Sequence, residues 1–197
     1  MSKRIAFLAT DGFEKSELEK PYEALSNAGY EVIVVSPTPD KIRSWDETDW
    51  GKEFKVDMEL KDANPDNFDA LVLPGGVINP DKLRRDKNAV KFVKSFFEGE
   101  TQKPVGAICH GPWMLVEADV VKNRKVTSFH SIHTDLSNAG ALWEDEEVVV
   151  DNGLVTSRKP DDIPAFVEKL KEVIEHGEFR KPPRAGGYVD HYENPPL

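Results

Sequence analysis

Cys109 is the only cysteine of this 197-residue chain, and it stands in Pro104-Val-Gly-Ala-Ile-Cys109-His110-Gly111-Pro, where an apolar run gives way to a helical pattern. A thiol on a strand-to-helix turn faces unpaired N-terminal N–H groups and the positive end of the helix dipole, both of which favour thiolate. A free thiol with a pKa near 8.5 is only a few per cent ionised at neutral pH, and a lowering of about two units would make it mostly thiolate. His110 follows at once, and Gly111 leaves room for close approach. Free cysteines are more often buried and structural. Here the elbow setting and the adjacent histidine favour a reactive sulfur.

Two other turns should converge on that sulfur, because open α/β sheets bind ligands beyond the carboxyl ends of their strands. After the first strand comes Thr10-Asp-Gly-Phe-Glu14-Lys-Ser-Glu17, with Pro21 four residues further on. Proline sits badly deep in a helix, which places Glu17 near the helix start, and acids there are usually simple caps. After a central strand comes Leu73-Pro74-Gly75-Gly76. Residues without Cβ allow close approach and positive φ, so Gly75 and Gly76, with the N–H groups after Cys109, could form an oxyanion hole.

The elements that must carry these residues are legible as apolar runs. Arg4–Ala9, Glu31–Ser36, Asp69–Leu73 and Pro104–Ile108 lack polar alternation, as strands buried on both faces do. Helical spacing links Leu18, Tyr22 and Leu25, ending at Gly29, and again Val90, Val93 and Phe97. Repeated βα units predict a parallel sheet covered on both faces. Lys125–Phe129, Glu147–Val150 and Leu154–Ser157 read as shorter strands, with Asp151-Asn-Gly153 as a hairpin turn, and a closing helix begins near Asp161. Ser36–Lys52 reads as an excursion whose Trp45 and Trp50 are exposed for contact. The domain is expected over residues 1–176, followed by an irregular tail over 177–197 that either is free or docks on another subunit through Phe179, Tyr188 and Tyr192.

Composition narrows the classes. With 36 acidic against 26 basic residues the net charge is −10, which disfavours nucleic acid and anionic membrane as partners. No apolar run reaches membrane-spanning length and a lone cysteine forms no internal disulfide, so a cytoplasmic location is expected.

With these residues assembled, the chain resembles the DJ-one/PfpI superfamily, within it the branch of PfpI-type intracellular proteases and bacterial general-stress proteins. The resemblance runs from about residue 3 to 175 through Phe13-Glu14-x-x-Glu17-x-x-x-Pro21, Asp69-Ala-Leu-Val-Leu-Pro-Gly-Gly76, Ala107-Ile-Cys-His-Gly-Pro112, Asn138-Ala-Gly140, Glu147-Val-Val-Val-Asp151 and Val155-Thr-Ser-Arg158. It implies a flavodoxin-like three-layer α/β/α sandwich with a mostly parallel sheet and a nucleophile elbow, assembled as a homodimer or a hexamer-type ring. It implies Cys109 as nucleophile, His110 as its neighbour, Glu17 beside the sulfur, and Asp81 orienting the histidine of a neighbouring subunit. A charged Glu17 would oppose thiolate, so the two are expected to share a proton, with Glu17 raised in pKa and acting as general acid/base. Trp113 departs from the family pattern and should narrow the cleft. His130 and His133 depart as well, and His130 is expected to line the same cleft, as is Glu14. Two histidines without a third ligand make a poor metal site, so no metal or cofactor is expected.

The activities this implies begin with sulfur attack on a carbonyl: glutathione-independent glyoxalase action on an α-oxoaldehyde, deglycation of proteins, or peptide hydrolysis. The expected partners are a small carbonyl compound or a glycated protein. A different class of reading is a non-enzymatic oxidant sensor or chaperone, in which Cys109 passes to sulfenic or sulfinic acid.

Overall fold

The computed structural model describes residues 2–180. Seven strands form the central sheet: β1 (Arg4–Leu8), β2 (Glu31–Ser36), β3 (Met58–Glu59), β4 (Ala70–Leu73), β5 (Val105–Ile108), β6 (Val148–Asp151) and β7 (Leu154–Ser157). Their order is β6-β7-β5-β4-β1-β2-β3, with all neighbours parallel except β6 against β7. The chain moves outward from β1 in both directions, which creates a switch point where the loops after β1 and β4 part. The flavodoxin-like α/β/α architecture expected of the sequence is the one found.

Side chains of alternate residues on each strand point to opposite faces, and this divides the core in two. Ile5, Phe7, Ala70, Val72 and Val155 meet α1 (Lys15–Asn27) and α6 (Ile163–His176), which contribute Leu18, Leu25, Phe166 and Leu170. Ala6, Leu8, Leu71, Leu73 and Ala107 meet the other layer, made of α2 (Ile78–Leu83), α3 (Lys87–Ser95), α4 (Trp113–Glu117) and α5 (His133–Asn138). Burying each such large side chain contributes about 1.5–3 kcal/mol, so both layers hold the sheet rigidly under its C-terminal edge. Among the described residues no helix is long and apolar enough to cross a membrane.

Three regions differ from the sequence expectation. The excursion after β2 is an ordered antiparallel hairpin, Lys41–Asp46 with Asp49–Lys55, and Phe13–Glu14 pairs in parallel with its first strand. Trp45 and Trp50 pack edge-to-face at 5.7 Å, so much of their surface is turned on each other; only Trp50 counts as exposed, at 38%. Lys125–Phe129 does not join the main sheet: only Lys125–Val126 is strand, paired with Leu142–Trp143, after which the chain turns toward Cys109. The start of the tail is not irregular, because Phe179–Arg180 pairs antiparallel with Thr101–Gln102 and Phe179 stacks on His176 of its own chain at 4.3 Å. Tyr188 and Tyr192 lie outside the described residues.

Candidate active site

Cys109 follows β5 directly with φ 61°, a left-handed conformation that costs a residue with a Cβ about 1 kcal/mol or more. Its backbone is held on both sides, its N–H donating to the Ser157 carbonyl at 3.0 Å and its carbonyl accepting from Phe129 N–H at 2.9 Å. Two paired neighbours keep the strained turn in place, and the sulfur projects from an elbow as expected.

The helix does not start at that sulfur. Residues 109–112 form a turn, and α4, only five residues long, begins at Trp113. Gly111 N–H closes that turn on the Ile108 carbonyl at 2.8 Å, which removes it from the expected oxyanion set. The N–H groups that do face the sulfur belong to Gly76 and His110. Burial pushes the Cys109 thiol up, and the neighbouring Glu17 charge pushes it further, against the pull of those two N–H groups. Against the expectation that turn and dipole favour thiolate, desolvation pulls the sulfur toward its thiol form.

Glu17, in the first turn of α1, is fully buried and raised to about 8, first by burial and then by the charge of Glu14. Gly75 N–H donates to its Oε2 at 2.9 Å, while Oε1 is buried without a hydrogen-bond partner, a setting that keeps the proton on a carboxyl. Gly75 thus serves Glu17 rather than an oxyanion. A Cβ on Gly75 would stand 2.5 Å from Glu17 Oε2 and 2.7 Å from the Cys109 Cβ, so only glycine lets acid and thiol close around it. Gly76 takes φ 74°, open to glycine, and its N–H faces both Glu17 and Cys109. Glu14, expected at the substrate, caps α1: its Oε2 accepts from Glu17 N–H at 2.8 Å and from the Ser16 hydroxyl at 2.6 Å.

His110 is wedged among four groups. Its Nδ1 lies 3.2 Å from Cys109 Sγ and its Nε2 lies 3.1 Å from Ser131 Oγ. Phe129 stacks on the ring at 5.1 Å, and Trp113 meets it edge-on at 5.2 Å. Burial, then the nearby His130, lowers its pKa, so the imidazole is neutral near neutral pH. His130 is exposed with its ring 4.8 Å from Phe129, whereas His133 packs on Trp143. Trp113 roofs this corner, its Nε1–H donating to Asp135 at 2.9 Å and Arg84 lying over its ring. Asp81 is exposed in the first turn of α2; the role the resemblance implies for it involves another copy, and both His110 nitrogens are engaged within the protomer.

Two contributors escaped the sequence reading. Ser131 has no spacing relation to His110. Asn79 is buried and ties two loops together, accepting from Thr10 N–H at 2.8 Å and donating to the Pro74 carbonyl at 3.0 Å. A cavity of about 410 Å³ between α1 and the start of α6, bounded by Lys20, Pro160 and Val167, does not include Cys109.

The arrangement offers a thiol, a neutral base and a protonated acid around one point. Relatives align over most of this chain and nearly all of their own length, at considerable identity. The chain is 46% identical to protein/nucleic acid deglycase 2 of Escherichia coli over 171 residues, covering 84% of this chain and 94% of that protein. It is 42% identical to deglycase PfpI of Pyrococcus furiosus over 172 residues, covering 87% and 99%. Among solved structures, Drosophila melanogaster DJ-1beta superposes with a TM-score of 0.76 at 26% identity, covering 89% of this chain and 97% of that one. The sequence profile of the DJ-1/PfpI family matches residues 3–173, and the chain belongs to that family.

Proposed function

We propose that the protein is a cysteine-dependent enzyme that converts reactive carbonyl compounds, α-oxoaldehydes or the adducts they form on proteins, into harmless hydroxy acids. The observation that carries this reading is the close approach of Cys109 and Glu17 across Gly75, with one side chain able to add to a carbonyl and the other holding a proton near neutral pH. The names of the relatives, deglycases in two cases, support the same chemistry.

For an α-oxoaldehyde, Sγ bonds to the aldehyde carbon as its proton passes to His110 Nδ1, which lies 3.2 Å away. The carbonyl oxygen becomes an alkoxide, accepts from the N–H groups of Gly76 and His110, and takes the Glu17 proton to give a hemithioacetal. Glu17, now carboxylate, takes the hydrogen of that carbon as a proton while the protonated His110 gives its proton to the ketone oxygen, forming an enediol. Glu17 then delivers its proton to the adjacent carbon as the first hydroxyl returns a proton to His110, so the aldehyde carbon is oxidised to a thioester while the ketone is reduced to an alcohol. Water cleaves the thioester, releasing the 2-hydroxy acid and restoring the thiol. No external oxidant or reductant is needed.

Peptide hydrolysis fits less well. Cys109 and His110 are each only 7% exposed beneath Trp113, too little for an extended chain. The test is conversion of methylglyoxal to lactate by wild type, Cys109→Ser and Glu17→Gln. Turnover lost in both variants supports the proposal. Full turnover in Glu17→Gln removes the carboxyl from it, and wild type that is reversibly oxidised at Cys109 without any turnover replaces it with the sensor reading.

A further inference from the structure

We propose that Ser131 is the positioning residue of His110: its hydroxyl oxygen holds the proton on Nε2 and so leaves the Nδ1 lone pair facing the Cys109 thiol. The base that activates the sulfur is then assembled within one protomer. The inference rests on the reading of Cys109 as nucleophile, and it assigns a residue that neither motif nor spacing marks.

A neutral imidazole carries one N–H and one lone pair, and a second hydrogen-bonding group decides which nitrogen holds which. The two short contacts of the ring are Cys109 Sγ at Nδ1 and Ser131 Oγ at Nε2. With the proton on Nδ1, that N–H would point at the sulfur and the ring would have no lone pair there to take the thiol proton. With the proton on Nε2, Ser131 Oγ accepts it, the exposed hydroxyl turns its own proton to water, and Nδ1 can accept from sulfur. This is the division of labour between nucleophile, base and orienting group, with a neutral hydroxyl in the third place.

Ser131 is fixed for this task. It lies in the single turn His130–Ile132, where Ile132 is buried and donates its N–H to the Phe129 carbonyl at 3.2 Å. Phe129 in turn donates its N–H to the Cys109 carbonyl at 2.9 Å and stacks on the imidazole. One short path of packed backbone therefore sets the hydroxyl, the ring and the sulfur relative to one another. A carboxylate at Nε2 would favour imidazolium; a serine leaves the ring neutral and free to take a proton. Ser131 also occupies the nitrogen that an acid from another copy, such as Asp81, would have to engage.

The experiment measures alkylation of Cys109 by iodoacetamide against pH in wild type, Ser131→Ala, Ser131→Thr and Asp81→Asn, with the His110 tautomer read by nitrogen-15 NMR. One hydrogen bond's worth of tautomer control predicts a loss of about fivefold in Ser131→Ala near neutral pH. That loss should shrink toward alkaline pH as hydroxide takes over deprotonation of the sulfur. Ser131→Thr and Asp81→Asn should behave as wild type, and His110 should lose its Nε2–H preference only in Ser131→Ala. Unchanged alkylation and tautomer in Ser131→Ala, an equal loss at every pH, or a loss confined to Asp81→Asn overturns the proposal. Alkylation needs no carbonyl substrate, so a wild type that makes no lactate defeats the proposed function and leaves this test readable.

Discussion

Gly75 donates its N–H to Glu17 Oε2 at 2.9 Å, and a Cβ built on the same glycine would come within 2.5 Å of that oxygen. The position thus binds the acid and makes room for it. Gly75→Ala must push Glu17 and Cys109 apart; overpacking of this kind costs about 1–3 kcal/mol. The variant is expected to have a lower urea midpoint and to lose most of its lactate formation, while Gly29→Ala, at a position with open space but φ 90°, lowers the midpoint and leaves lactate formation in place.

Glu17 makes stability fall as pH rises. Its folded pKa, about 8, stands above the ordinary 4.5, so the folded state binds the extra proton between those values. Stability from this group is complete below the unfolded pKa and is lost as pH climbs through the folded one, by on the order of 3–5 kcal/mol in all. Glu17→Gln should remove that slope and be more stable than wild type at pH values above the folded pKa. Urea midpoints across the range measure it, and parallel pH profiles for the two proteins would exclude a buried, protonated Glu17.

The pH–rate profile should reflect two groups. The acid form of Glu17 is needed to protonate the alkoxide, so kcat/KM should decline on the alkaline side near 8. His110 must be neutral to accept from the thiol, and burial lowers it below the ordinary histidine value of 6.5, so activity should persist into mildly acidic solution. An acid limb above that ordinary value would show that His110 is not the group being titrated.

Trp113 should set the size of substrate accepted. Its indole is held by Asp135 at 2.9 Å and by Arg84, whose guanidinium also pairs with Glu117 at 3.1 Å, so it cannot swing aside without breaking those contacts. Trp113→Ala is expected to raise kcat/KM for a bulky aryl glyoxal about tenfold relative to methylglyoxal. Asp135→Asn should shift the ratio in the same direction by less. An unchanged ratio in both variants would place the size limit elsewhere.

Much of the frame was legible because apolar periodicity reports burial directly. Glu31–Ser36 and Leu154–Ser157 are strands over the residues expected, and Asn152 and Gly153 take positive φ in the turn between β6 and β7. The hairpin after β2 was not legible. Most of its residues are polar or exposed, with only Ile42 and Ser44 buried, yet it holds the loop before α1, since Gly12 N–H donates to the Arg43 carbonyl and Arg43 N–H to Asp11.

The chain alone specified a cysteine at a strand end, a glutamate at the next helix start and a glycine pair nearby, because local pattern determines strands, caps and turns. Their protonation was decided only in three dimensions. Whether Cys109 rests as thiol or thiolate depends on what surrounds it: burial, the Glu17 carboxyl, the N–H of Gly76 from a distant loop and that of the adjacent His110. Ser131 reaches His110 across 21 residues of sequence for the same reason. Desolvation and hydrogen bonding act through distances in space, and spacing along the chain carries no record of them.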